Sequence, residues 1–146
     1  MPRVAPRSED TVTGGYWVLP REASSAREAR AAIESLLVNL DTAADDVEAA
    51  VQVVSELVSN VVRHAHSADV IEIALDADDG VIRLEVVDND PRPPLGPVGR
   101  DGAGSSEEGG RGLFLVEMLA SEWGWDPIRG NGKRVWCTFH PNPVSP

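Results

Sequence analysis

The longest regular pattern in the chain runs from Val47 to Val62. There Val47, Val51, Val54, Leu57, Val58, Val61 and Val62 recur at helical spacing. This predicts a long helix ending near His66 with one buried stripe. Thr42 stands where a cap belongs, and Asp45 and Asp46 fall in a first turn whose dipole favours acids. Before it, Ala29, Ala32, Ile33, Leu36, Leu37 and Leu40 form a second helical stripe over Ser24 to Leu40. Ser24 or Ser25 caps that helix, with Glu28 as the reciprocal partner of Ser25 in a capping box.

Two stretches change period. Val70 to Ala77 and Val81 to Val87 alternate apolar and polar residues, and Asp78-Asp79-Gly80 between them supplies a turn with a glycine free to take a positive φ. This predicts an antiparallel hairpin with one face on the core. Tyr16 to Leu19, closed by Pro20, reads as an edge strand. Past Asp88 the prolines stop the second hairpin strand, and Leu95 to Gly112 is a long glycine-rich loop with little to bury. A helical run from Leu113 to Ala120 follows, and Arg134 to His140 forms the last strand, entered through Gly130-Asn131-Gly132-Lys133. Helices grouped against such strands mean an α+β fold, a two-layer sandwich with a mainly antiparallel, mixed sheet and helices on one face. Residues 1–13 read as a flexible arm, 14–140 as one domain and 141–146 as a tail.

Composition narrows the function classes. The chain of 146 residues carries a net charge of −11, with no basic stripe to neutralise phosphates, so direct nucleic-acid binding and an anionic membrane surface are not expected. No apolar run approaches the length of a membrane span, no signal-peptide core is present, and Cys137 is the single cysteine. A cytoplasmic setting is expected. Three histidines and one cysteine, none at metal spacing, give no reason to expect zinc.

The candidate chemistry starts on the long helix. Glu56, Asn60 and His64 stand four apart and share one side. A carboxylate and a carboxamide beside a buried stripe suit a hard cation or the orientation of a nucleophile; they equally suit the polar flank of an ordinary amphipathic helix. Asp88, where an apolar strand ends, can accept a hydrogen bond from an exocyclic amine at the bottom of a pocket, or serve as a turn acid. Gly109, Gly110 and Gly112 before a helix let backbone amides approach an anion, or form a linker. The spacing is neither that of a Walker motif nor that of a dinucleotide fingerprint. Trp17, Trp123, Trp125 and Trp136 read as core and interface aromatics.

Taken in order, these signals carry a resemblance. Ser55 to Ala65 (SELVSNVVRHA), Val86 to Pro94 (VVDNDPRPP), Gly110 to Ala120 (GRGLFLVEMLA), Trp123-Gly124 and Gly132 to Trp136 (GKRVW) resemble the GHKL ATPase superfamily. This is the Bergerat-type ATP-binding fold of histidine kinases, gyrase B and Hsp90. The likeness is strong to its anti-sigma-factor, serine-protein-kinase branch, including the stand-alone ATP-binding proteins of actinomycetes. It spans Tyr16 to Phe139.

The resemblance implies ATP and Mg²⁺ as cofactors. Glu56 would orient or deprotonate the attacking nucleophile and Asn60 would hold Mg²⁺. Arg63 or His64 would lie near the nucleotide, and Asp88 would recognise the adenine amino group. Gly109, Gly110, Gly112 and the following Leu113 would wrap the phosphates, with Arg111 as a phosphate contact. Implied partners are a sigma factor and a small STAS-domain antagonist, with a homodimer as the assembly. A nucleotide-binding adaptor without turnover is the alternative. Two departures stand out: Asp90 replaces a usual glycine, and Arg134 takes the place where many relatives have an adenine-binding threonine. An acid near the phosphates weakens binding unless metal or Arg92 compensates it.

Overall fold

The computed structural model describes residues 13–94, 108–128, 130 and 132–140. Along the chain run β1 (Gly14–Pro20), α1 (Ser25–Asn39), α2 (Ala44–His64), β2 (Val70–Asp78), β3 (Val81–Asp88), α3 (Glu108–Leu119), β4 (Glu122–Ile128) and β5 (Gly132–Phe139). The strands form one sheet in the order β1-β2-β3-β5-β4. Every pairing is antiparallel, so the sheet is more uniform than the mixed one expected.

The two periodicities meet in one core. Ile71, Ile73 and Leu75 of β2, Ile82, Leu84 and Val86 of β3, and Val135, Cys137 and Phe139 of β5 all point to the helix layer and are buried. On α2, Val53, Val54, Leu57 and Val58 meet them, while Ile33 and Leu37 of α1 and Leu113 and Val116 of α3 close the same cluster. Burial pushes the Cys137 thiol up to about 12, so it is an inert apolar filler. Among the described residues the opposite face of the sheet carries no helix. Arg83 stacks there on the Trp136 ring, 4.9 Å from its centroid, and Gly124 opposite leaves room that a Cβ would take, 2.7 Å from the same ring.

Local details depart from the sequence reading in four places. The capping box at Ser25 does not form: its hydroxyl donates to the Pro20 carbonyl, 2.5 Å away, and Ser24 takes the cap position without a side-chain bond. Thr42 does not cap α2, because Ala43 holds the extended cap position and the Thr42 amide donates to Leu37 O, closing α1 instead. The third helix begins at Glu108 rather than Leu113. Its glycines form the first turn, where amides need no intrahelical partner. The lid expected from Leu95 lies, up to residue 107, outside the described residues. Finally, β4 is a strand that alternation did not announce, since Gly124 and Pro127 interrupt it; as an edge strand it tolerates the proline.

The hairpin is as expected. Asp79 and Gly80 take φ of 55° and 81°, the two positive values a tight two-residue turn between twisted strands requires. That turn fixes the register that brings Asp88 to the end of β3.

Candidate functional site

Between α2 and the sheet lies a cavity of about 460 Å³. Its helix wall is Leu57, Asn60, Val61, His64 and Ala65, one face of α2 at three- and four-residue steps. Val86 and Asp88 of β3 and Lys133 and Val135 of β5 form its floor, and Arg92, Pro93 and Pro94 its rim. Three of the residues singled out from sequence, Asn60, His64 and Asp88, are thus brought together. A second hollow, of about 520 Å³ between α1 and α2, contains none of them.

Other candidates sit elsewhere. Glu56 is partly buried one turn before Asn60 and does not line the cavity. Arg63, one residue before His64, is turned to the exposed side of α2. The Leu113 side chain is 1% exposed within the core, so it packs α3 onto the domain. Gly109, Gly110, Arg111 and Gly112 occupy the first turn of α3, and their side-chain environment is outside the described residues.

The floor is electrostatically closed. Asp88 and Lys133 are cross-strand partners, and the Lys133 ammonium donates to Asp88 Oδ1 at 3.1 Å with both side chains at most 5% exposed. Lys133 also donates to the Asp90 carbonyl at 3.0 Å, and the Asp90 amide donates to Asp88 Oδ1 at 2.7 Å. Burial pushes the Asp88 carboxyl above its usual range, opposed by the Asp90 amide and the Lys133 charge. Gly132 makes this approach feasible, since a Cβ there would meet the Asp88 carbonyl at 2.5 Å.

Asp90, the first departure, is fully buried, is not among the residues lining the cavity, and is paired with Arg92, the compensating cation named from the sequence. Its carboxylate accepts from the Ser67 amide at 3.1 Å, the Arg92 amide at 2.9 Å and the Arg92 guanidinium at 3.1 Å. The Arg92 guanidinium, chiefly, holds this carboxyl well below the usual range against the pull of burial. Arg92 then donates to the His64 carbonyl at 2.9 Å, and Arg21 to the Val62 carbonyl at 2.8 Å. Two cations thereby satisfy carbonyls at the C-terminus of α2, the end where positive charge is favoured. Asp90 is the peg that fixes the rim to the helix.

Arg134, the second departure, lies outside the cavity. Strand alternation sends it to the open face, 3.8 Å from Asp126, while Lys133 shares the face of Val135 and reaches the cavity. Lys133 was not singled out from sequence, yet the inward run Lys133, Val135, Cys137 was there to find it.

The α2 wall differs from the floor. Asn60 is 6% exposed, and its Oδ1 is buried with no hydrogen-bond partner among the described residues. Leaving such an acceptor unmet costs about 1–3 kcal/mol. A ligand or ion that met this oxygen would recover that cost.

A helix-over-sheet sandwich with a cavity between its layers, a buried acid at the floor and an unmet amide oxygen on the wall defines the class. The chain belongs to the histidine kinase-like ATPase domain family, whose model matches residues 19–139. Two solved structures share the fold. The RsbU and RsbW domains of Rv1364c from Mycobacterium tuberculosis match with a TM-score of 0.67 at 21% identity, covering 88% of this chain and 32% of that one. This chain thus spans about a third of the length of that solved chain. The SiaB–SiaC complex from Pseudomonas aeruginosa matches with a TM-score of 0.65 at 12% identity, covering 85% of this chain and 88% of that chain. No curated protein matches the sequence. No helix among the described residues is long and apolar enough to cross a membrane.

Proposed function

We propose that the chain is an ATP- and Mg²⁺-binding regulatory protein, a serine-protein kinase and anti-sigma factor acting by partner switching on a sigma factor and a STAS-domain antagonist. The observation that carries the reading is Asn60, which lines a cavity floored by Asp88 and whose buried Oδ1 has no hydrogen-bond partner among the described residues. Family membership supports nucleotide binding, and the likeness to an RsbW domain and to a protein solved in complex with SiaC supports a regulatory setting with a protein partner.

The residues fit the cofactor. Among the described residues no three of His, Cys, Asp or Glu cluster to cage a metal. Mg²⁺ held by one protein oxygen and by substrate phosphates needs no such cage. Asn60 supplies that oxygen, and the ion, when bound, neutralises charge on the phosphates. Asp88 accepts from the adenine amino group. Glu56, one turn back along α2, orients or deprotonates the attacking serine hydroxyl. His64 borders the nucleotide, and the first turn of α3, Gly109 to Gly112 with Arg111, meets the phosphates through amides and the helix dipole. Arg63 reaches out from the exposed side of α2, and Leu113, whose side chain packs in the core, would contribute through its backbone amide.

Calorimetry of ATP with and without Mg²⁺, on the wild type and Asn60→Ala, tests the pocket. Magnesium-dependent binding that weakens in the variant is expected; absence of binding at high protein concentration refutes the reading. Transfer of the γ-phosphate to a candidate antagonist, lost in Glu56→Ala, then separates the kinase from an adaptor that binds ATP without turnover.

A further inference from the structure

The charged pair at the cavity floor goes beyond a single acid that accepts from an amine. Lys133 has three N–H donors on its ammonium. Two are directed at Asp88 Oδ1, 3.1 Å away, and at the Asp90 carbonyl, 3.0 Å away. The side chain is 5% exposed and lines the cavity, so it is held in place by packing and by both bonds. Asp88 Oδ1 takes the Lys133 and Asp90 donors, while Oδ2 takes no bond among the described residues. The floor therefore offers an incoming ligand one acceptor, Asp88 Oδ2, beside one donor, the third N–H of Lys133.

We propose that Lys133 is a base-reading residue: its ammonium donates to the ring nitrogen N1 of adenine while Asp88 accepts from the neighbouring amino group. The pair reads the two-atom amidine edge of the base, an amine next to a ring acceptor, rather than the amine alone. The inference rests on the nucleotide reading of this cavity. Register gives it its geometry. Asp88 and Lys133 face one another across β3 and β5 on the face shared with Val86 and Val135, and the bare backbone at Gly132 lets the strands close. A buried donor left facing a carbon in place of a ring nitrogen loses its bond without regaining water, which costs on the order of ten- to a hundredfold in affinity. If Lys133 served only as the counter-ion of Asp88, it would fix the carboxylate equally for every purine and leave that ratio at one.

Binding of ATP, 1-deaza-ATP and 7-deaza-ATP to the full chain with Mg²⁺ tests this. ATP and 7-deaza-ATP are expected to bind alike, and 1-deaza-ATP roughly ten- to a hundredfold more weakly. In Lys133→Met the gap between ATP and 1-deaza-ATP should close to within about threefold, as the donor is gone. Should that variant not fold, the neutral pair Asp88→Asn/Lys133→Met leaves no unpaired charge and is read the same way. Equal affinity of the wild type for ATP and 1-deaza-ATP overturns the assignment while leaving ATP binding intact, as does a gap that persists in the Lys133 variants. Failure of all three nucleotides to bind overturns the nucleotide reading and this inference with it.

Discussion

At the floor of the cavity Asp88, Lys133 and Asp90 meet one another's charges and hydrogen bonds, whereas on the α2 wall Asn60 is buried with an oxygen that nothing in the described protein meets. Both regions put polar groups out of water, but the floor groups pair with one another on folding and leave only Asp88 Oδ2 and one Lys133 N–H over. A paired cluster contributes to stability and shape. An incomplete one costs stability and keeps a contact in reserve for a ligand. Asp88 and Lys133 thus hold the pocket together and keep one bond each for a ligand, whereas the Asn60 oxygen has no partner until one arrives.

The strongest way to break the floor is Lys133→Met. It leaves a buried carboxylate unpaired, and breaking a buried pair on one side costs about 3–5 kcal/mol. Urea unfolding should show the loss, and a midpoint unchanged from the wild type would mean the pair is no support at all. A smaller effect is expected from Asp90→Asn, which keeps the shape and removes the charge facing Arg92, for about 1–2 kcal/mol. Its pH dependence carries a sign. The Asp90 pKa is depressed on folding, so its contribution is fully present above the unfolded value of about 3.9 and fades as pH falls below it. Asp88 runs the other way: its pKa is raised, so its contribution is present in acid and is lost as pH rises through the folded value. Asp90→Asn should therefore flatten the acid limb of the stability curve; an acid limb as steep as in the wild type would place the titration elsewhere.

On the wall the signs reverse. Asn60→Leu fills the same space and removes an unmet acceptor, so stability should hold or rise by up to about 1 kcal/mol. Magnesium-dependent ATP affinity should fall roughly tenfold or more in the same variant. Stability and binding moving together would show that Asn60 belongs with the floor, and would dissolve the comparison.

Much of this was legible in the sequence where periodicity is strong. The stripe from Val47 to Val62 fixed α2 and its cavity-facing side, and the Asp79-Gly80 turn fixed the register that ends β3 at Asp88. The caps failed because Ser25 and Thr42 had competing uses, a bond to Pro20 and the closing of α1, that only tertiary structure supplies. Strand β4 was hidden because an edge strand with Gly124 and Pro127 lacks the usual composition of a strand. For Asp90 the compensating Arg92 was legible two residues on, but the Ser67 amide was not, since it joins them only when the end of α2 meets the turn after β3.

The smallest effect is expected one residue from the largest. Arg134 follows Lys133, carries the same charge and lies on the opposite face of β5, where its contact with Asp126 is 3.8 Å long and both side chains are more than a third exposed. Ion pairs of this kind contribute under about 0.5 kcal/mol once solvent screening and side-chain entropy are counted. Arg134→Ala should therefore leave the unfolding midpoint nearly in place and ATP affinity untouched, against the several kcal/mol expected at Lys133. If Arg134→Ala instead weakened ATP binding, Arg134 would face the nucleotide, and β5 would have to enter the site in the other register. A neutral Arg134→Ala beside a damaging Lys133→Met fixes which face of the strand reads the base, because alternation allows only one of two adjacent cations to reach it.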